Sequence, residues 1–362
     1  MSTQSPLLMA MHEPALHTFI SYLAEKKSEQ EANPDKHIKI ELSRELMNQV
    51  RESFRQNILD GERNLHMLSH LLSSLLLEAD FELHSNVIGA LPGEEMRPFL
   101  IRERITQDML FSVTDIDLGN HMLDHFRYRK ELDWVPLALS ANFIEYLPTM
   151  RGPSGVNRLT SRVKAEEELW NKVADEIFGI DELVVRDKQL RHYSKYVKDI
   201  FGLKIVCDDE ATCLAVHEKL EKMTLVGADG ADLERLGAFG DFGILSNGSS
   251  DGNRLVEFIE SKNYLTCPPE EMKKTGWKAI KSVVQWHERL FEIQVQPLDN
   301  YYLELDHMSG PSHSSFKIKR DAMRDQVAQC IPMYGFYRDL LKMLFMGTDV
   351  SFDCSNASVV IT

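Results

Sequence analysis

Two carboxylates stand in strand-like stretches with polar company: Asp199, opening "DIFGLKIVC" (199–207), and Glu292, inside "LFEIQVQP" (290–297). In the second stretch Phe291, Ile293 and Val295 alternate with Glu292, Gln294 and Gln296, a period of two that puts the three polar residues on one strand face. A solvated face would carry such a row for solubility alone. A site would use it because Glu292 and Gln294, about 7 Å apart, can both address one bound cation. Carboxylates brought together from neighbouring strands suit Mg²⁺, which takes one or two protein oxygens, keeps water and binds phosphate oxygens.

Basic residues cluster in two further stretches. Arg162 and Lys164 in "SRVK" lie two apart and can reach the same side of an extended turn to meet a triphosphate. In "KKTGWKAIK" (273–281) Lys273, Lys274, Lys278 and Lys281 surround Gly276-Trp277, which joins phosphate-pairing cations to an aromatic face on which a base can stack. The plainer reading of that stretch is a core tryptophan beside solvated lysines.

The elements that must position these residues follow from periodicity. "LSRELMNQVRESFRQNIL" and "NLHMLSHLLSSLLLEADFEL" read as helices, the second strongly apolar. Breaks at "GALPGEEMRP" (89–98) and "YLPTMRGPSGVN" (146–157) separate an N-terminal helical region, 1–150, from a second domain. There "TSRVKAEEELWNKVADEIF" reads as an amphipathic helix, "DIFGLKIVC" as a strand, and "DDEATCLAVHEKLEKM" as a helix capped by Asp208 or Asp209. The glycine-rich stretch 227–252 matches no phosphate-loop spacing and reads as a loop with short strand pieces. "KAIKSVVQWH" and "LFEIQVQP" flank Glu288-Arg289 as an antiparallel pair, and "KIKRDAMRDQVAQC" and "YGFYRDLLKMLF" read as helices.

With 362 residues the chain is long enough for two cores. Its net charge of -15 favours solubility and argues against a surface that grips nucleic acid throughout. The five cysteines form no C-x-x-C pair, so reduced thiols in a cytoplasm are expected rather than a disulfide framework or zinc knuckle. The N-terminal apolar run lacks a basic region before it and contains Glu13, unlike a signal peptide, and no stretch approaches a membrane span.

The order of the motifs adds to this. "SRVK", "KDIFGLKIV", "KNYL" (262–265), "KKTGWKAIK" and "EIQVQPLDNYYLELDH" resemble, in sequence and approximate spacing, the motifs of the RelA/SpoT-type alarmone synthetase domain. The resemblance spans roughly residues 155–325 and implies an α+β fold, a nucleotidyltransferase-like mixed sheet flanked by helices, behind an N-terminal all-helical region. The implied divisions are 1–150, a synthetase-like domain over 151–325, and a C-terminal helix and tail over 326–362.

It also implies residue roles. Arg162, Lys164 and Lys204 resemble contacts to ATP, and Asp199 and Glu292 the Mg²⁺ ligands. Glu292 could instead take the proton from the attacking hydroxyl, with Gln294 fixing the geometry. Lys262, Lys273, Lys278, Lys281 and His307 resemble contacts to the acceptor, and Trp277 stands where the family stacks a tyrosine on guanine. Asp306-His307 occupy the place of the family's E-H. The implied reaction moves the β,γ-pyrophosphate of ATP to the 3′-OH of GDP or GTP.

Departures fall mainly on the acceptor side. Lys204 replaces an arginine, Lys278-Ala279-Ile280-Lys281 replaces R-S-x-H, and Gln296-Pro297 replaces R-T. A toxin-like relative that modifies a tRNA 3′-end or an adenosine nucleotide is therefore one alternative, and a catalytically faded nucleotide-binding regulator is another. The family's hydrolase H-D dipeptide is absent from 1–150, and "HMLDH" (121–125) offers two histidines four apart that read more simply as helix residues. Residues 1–150 are expected to serve regulation, self-association or binding of an antitoxin.

Overall fold

In the computed structural model the described residues are 14–33, 35–91, 97–124, 126–130, 133–136, 138–163, 170–171, 173–175, 200–223, 256–268, 276–286, 289–309, 324–346 and 357–362. Two compact units divide the chain: one comprises 1–60, 164–200 and 315–362, the other 61–163 and 201–314.

In the first unit α1 (Pro14–Ala32) precedes β1 (Ile38–Leu42), whose alternation buries Ile38, Ile40 and Leu42. The long helix α2 (Arg44–Leu76) contributes its first turns here. Further along, α7 (Pro332–Met346) is followed by β12 (Ala357–Ile361), which pairs in parallel with β1. Trp170 stacks on Phe345 at 3.6 Å between ring centroids and lies 4.4 Å from Phe54, an aromatic cluster that anchors the core.

The second unit is built on one eight-stranded sheet. Its strands are β2 (Phe81–Leu91), β3 (Arg97–Ile105), β6 (Ala138–Pro148), β7 (Val156–Val163), β8 (Phe201–Cys207), β9 (Glu257–Asn263), β10 (Ile280–Trp286) and β11 (Arg289–Pro297). They run in the order β3-β2-β6-β7-β8-β11-β10-β9. Every pair is antiparallel except β8 with β11, so the sheet is mixed and the class is α+β. Helices α3 (Gln107–Ser112), α4 (Asp115–Asp124), α5 (Glu210–Lys222) and α6 (Leu298–Ser309) belong to this unit, as does a small hairpin of β4 (Arg127–Lys130) and β5 (Asp133–Pro136). Asp209 caps α5, its carboxylate accepting the Thr212 N–H at 2.7 Å.

The expectation of an all-helical stretch over 1–150 is corrected: β1 to β6 all lie within it. The two helices read from sequence are one, α2, and the chain leaves it through Glu78, whose φ of 51° is left-handed. A non-glycine residue in that conformation gives no sequence punctuation, so the two-residue alternation that begins at Phe81 was hidden behind the helix. The helix read over "TSRVKAEEELWNKVADEIF" is corrected at its start, because Thr160 to Val163 are the end of β7, whereas residues 170–171 and 173–175 are helical as expected. The β7 residues find hydrogen-bonding strands on both sides, and that tertiary pairing overrides the helical spacing. The β10–β11 hairpin is as expected, with Trp286 opposite Arg289.

Gly61 in α2 shows how the helix meets the sheet. A β-carbon there would fall 2.0 Å from Cζ of Phe201, so only glycine lets α2 lie this close to β8. Free Cys207 and Cys213 are buried in this unit. Among the described residues no helix is long and apolar enough to cross a membrane.

Candidate functional site

The polar row of β11 is not a solvated face. Glu292 is 4 % exposed and Gln296 0 %, while Phe291, Ile293 and Val295 are buried on the other side. A strand buried on both faces meets most of its polar groups' needs through its neighbours.

Register defines two rows across four strands of the sheet's centre. One runs Lys281 on β10, Gln294 on β11, Lys204 on β8 and Thr160 on β7; the other runs Val283, Glu292, Gly202 and Arg162. Lys262 on β9 extends the first row, opposite Lys281. Paired residues share a face, so Lys262, Lys281, Gln294, Lys204, Glu292 and Arg162 all project from one side of the sheet. Gly202 sits between Arg162 and Glu292 and contributes nothing above the sheet: a β-carbon built there would find only the Arg162 carbonyl oxygen, at 3.7 Å. Arg162 keeps part of its side chain exposed, but burial around the guanidinium pushes its pKa down, opposed by the Glu304 and Glu292 carboxylates. The result is a recess with a cation on one flank and a carboxylate on the other.

Within it, Lys281 Nζ makes an ion pair with Glu292 Oε2, and Gln294 donates its amide to Glu292 Oε1. Glu292 Oε2 and Gln294 Oε1 accept no hydrogen bond, although Oε2 lies against the Lys281 ammonium.

A second polar group lies beside the row. Glu304 on α6 receives Lys204 Nζ at 2.6 Å, Gln296 Nε2 at 2.9 Å and the indole N–H of Trp277 at 2.7 Å. Burial pushes the Glu304 carboxyl up, but the Lys204 charge and these hydrogen bonds outweigh it and hold it below the usual carboxylate range. Asn300, one turn earlier, donates to Gln296 Oε1 at 2.7 Å and accepts the Lys278 N–H at 3.0 Å. Strand β11, helix α6 and the Trp277 segment are thereby tied together. Tyr264 meets Trp277 edge-on at 5.6 Å between ring centroids.

Sequence comparison finds no match, neither to a family model nor among curated proteins. Among solved structures the likeness is to small alarmone synthetases. The small alarmone synthetase 1 of Bacillus subtilis bound to its product pppGpp is 18% identical over 48% of this chain and 80% of its own, with a TM-score of 0.21. The same enzyme bound to AMPCPP is 14% identical, covering 52% and 78% of the two chains, also at 0.21. A further structure of it is 17% identical over 48% and 82%, at 0.22. At these TM-scores the likeness carries no residue-level argument.

The sequence-derived residues divide as follows. Arg162, Lys204, Lys262, Lys281, Glu292 and Gln294 share the face described above. Trp277 joins it through Glu304, whereas the Lys278 ammonium turns to Glu210 at 2.6 Å. Lys262 pairs with Glu260 at 3.1 Å. Asp199, Lys164 and Lys273 lie outside the described residues, as does the side chain of His307 on α6. His121 is exposed on α4, and His125 lies outside the described residues. Sequence reasoning passed over Glu304. The available signal was its i, i+4 spacing from Asn300 on a helix that begins directly after the polar strand.

Proposed function

We propose that the chain is a Mg²⁺-dependent pyrophosphokinase that transfers the β,γ-pyrophosphate of ATP to the 3′-hydroxyl of a guanosine nucleotide. The observation that carries the reading is the recess over Gly202, flanked by Arg162 and Glu292 and bordered by Lys281, Gln294 and Lys204. Such a site supplies charge neutralisation for a polyphosphate and a carboxylate for a hydroxyl proton, which are the two things this transfer needs from a protein.

Arg162, Lys204 and Lys281 offset phosphate charge and align the chain of phosphates. The acceptor oxygen attacks the β-phosphorus, the bond from that phosphorus to the α,β-bridging oxygen breaks, and AMP departs. Glu292 accepts the acceptor's proton, a contribution of about 10²–10⁴-fold. Gln294 fixes the carboxylate, and Trp277, held in place by Glu304, offers its ring to the acceptor base.

The donor set is oxygen, as a hard cation requires: Gln294 Oε1 accepts no hydrogen bond, and Glu292 Oε2 is held by the Lys281 ammonium, which the ion would displace. These two residues would hold Mg²⁺ together with Asp199, which the sequence resemblance adds. Bound there, the ion supplies further neutralisation of the phosphate oxygens.

The test is an incubation of purified protein with Mg²⁺ and ATP labelled at the γ-phosphate, offering GDP, GTP, ATP or deacylated tRNA. Release of AMP with label on GDP or GTP is expected. Label on tRNA or on an adenosine nucleotide would replace the acceptor, and no transfer by folded, ATP-binding protein would overturn the enzyme reading.

A further inference from the structure

Three ionisable side chains meet on the opposite face of the same sheet, inside the second unit. Glu62 and His66 stand one turn apart on α2, and Asp115 opens α4. Their side chains are only 7%, 2% and 2% exposed. His66 Nε2 lies 3.0 Å from Asp115 Oδ1 and 3.8 Å from Glu62 Oε1, and one donor atom from each residue falls within 4.8 Å of the others.

Two features separate this cluster from an ordinary buried hydrogen-bond network. His66 Nδ1 and Asp115 Oδ2 lack a hydrogen-bond partner although each is shut off from water, while His66 Nε2 and Asp115 Oδ1 face only each other. The cluster also buries two carboxylates against one imidazole, so its charges balance only when a cation or protons join them. One contact holds a ligand side chain, and two more fix the backbone that carries the others. The Asp115 backbone N–H donates to Glu62 Oε1, Asn142 donates to the Asp115 carbonyl, and the Tyr146 hydroxyl reaches the His66 carbonyl at 3.5 Å. Outer contacts of this kind orient the ligands of a metal.

We propose that Glu62, His66 and Asp115 form a structural site for a divalent first-row transition ion of the zinc or manganese class. One imidazole nitrogen and carboxylate oxygens are the donor set such ions take, and a 2+ charge cancels the two carboxylates beside a neutral imidazole. Asp115 Oδ2 is available to fill a further coordination position. Burial of all three ligands argues for a staple rather than a reaction centre. The ion would clamp α2 to α4, on the face of the sheet opposite the nucleotide recess.

The rival occupant is a proton. Burial opposes the His66 imidazolium, but Asp115 and Glu62 outweigh it and hold the histidine up to about 9, so a proton-bridged cluster is the outcome that would defeat the proposal. The experiment is metal analysis of the purified full chain after gel filtration, with melting followed as Zn²⁺, Mn²⁺ or Co²⁺ is added to chelator-treated protein. About one equivalent of ion per chain, a Tm rise on the order of 5 °C and visible Co²⁺ absorption are expected. Folded wild-type protein that keeps less than about a tenth of an equivalent and melts unchanged in all three ions would overturn the site. Asp115→Asn, which preserves the side-chain shape and the N–H to Glu62, must lose the ion, while Glu292→Gln must keep it. The reverse pattern would move the ion to the nucleotide face and equally overturn the proposal.

Discussion

Lys281 and Glu292 are ion-paired although they are not cross-strand partners: Lys281 stands opposite Gln294, and Glu292 opposite Val283. The lysine reaches diagonally along the hairpin to a carboxylate that Gln294 already holds from its own strand. Glu292 is therefore fixed from two directions, with both carboxylate oxygens engaged. Glu292→Gln keeps the shape and an acceptor oxygen but leaves the Lys281 ammonium without its carboxylate, so its stability cost is about 1–3 kcal/mol. Its turnover in the AMP-release assay is expected to fall by about 10²–10⁴-fold. Turnover within threefold of wild type would remove Glu292 from the chemistry.

Glu304 gives the site a pH dependence with a definite sign. Burial raises this carboxyl, but Lys204, Gln296 and Trp277 outweigh it, so its folded value lies below the ordinary glutamate value of 4.5. A depressed carboxylate adds stability that is fully present above its unfolded value and lost as pH falls through the folded one. Urea unfolding of wild type and Glu304→Gln should differ by about 1–3 kcal/mol at pH 7. The difference should shrink as the pH drops below 4.5. A difference that persists unchanged at the lowest pH where both proteins fold would mean that packing, and not charge, sets the contribution of Glu304.

What was legible in the sequence was the local pattern. The alternation of "LFEIQVQP", the helix capped at Asp209 and the β10–β11 pairing are all settled by neighbours a few residues away, and they stand as read. What was not legible depended on distant partners. Arg162 looked helical because Val163, Leu169, Trp170 and Val173 are helically spaced; it is on a strand because it pairs with Gly202 of β8 while β6 pairs with the residues just before it. The strands between Phe81 and Pro148 were missed because α2 ends at a left-handed glutamate instead of a glycine. Glu304 and the Glu62, His66 and Asp115 cluster are constellations that exist only once the sheet has formed. No spacing along the chain brings Asp115 to His66.

Trp277 combines two roles that substitution can separate. Its N–H holds Glu304 at 2.7 Å, and its ring is the surface offered to the acceptor base. Trp277→Phe keeps an aromatic face but loses the hydrogen bond; Trp277→Ala loses both. Stacking is worth about 1–3 kcal/mol per base, so the alanine variant should raise the acceptor KM about 5- to 150-fold while leaving the KM for ATP within threefold. The phenylalanine variant should recover most of that loss at some cost in Tm. Equal effects of the two variants on acceptor KM would show that the hydrogen bond alone matters and that no base stacks there.

Gly202 provides a test in which stability and activity move in opposite directions. Glycine inside a strand costs roughly 0.5–1 kcal/mol relative to alanine, and a β-carbon here meets nothing nearer than 3.7 Å. Gly202→Ala should therefore raise the Tm by a degree or more. The same methyl group intrudes on the space between Arg162 and Glu292, and Gly202→Val fills more of it. ATP affinity measured by calorimetry should fall with side-chain size along the series glycine, alanine, valine, while the melting temperature rises or holds. A valine variant that binds ATP as tightly as wild type would show that the nucleotide does not sit over Gly202, and the recess would lose its assigned occupant even if the enzyme proved active.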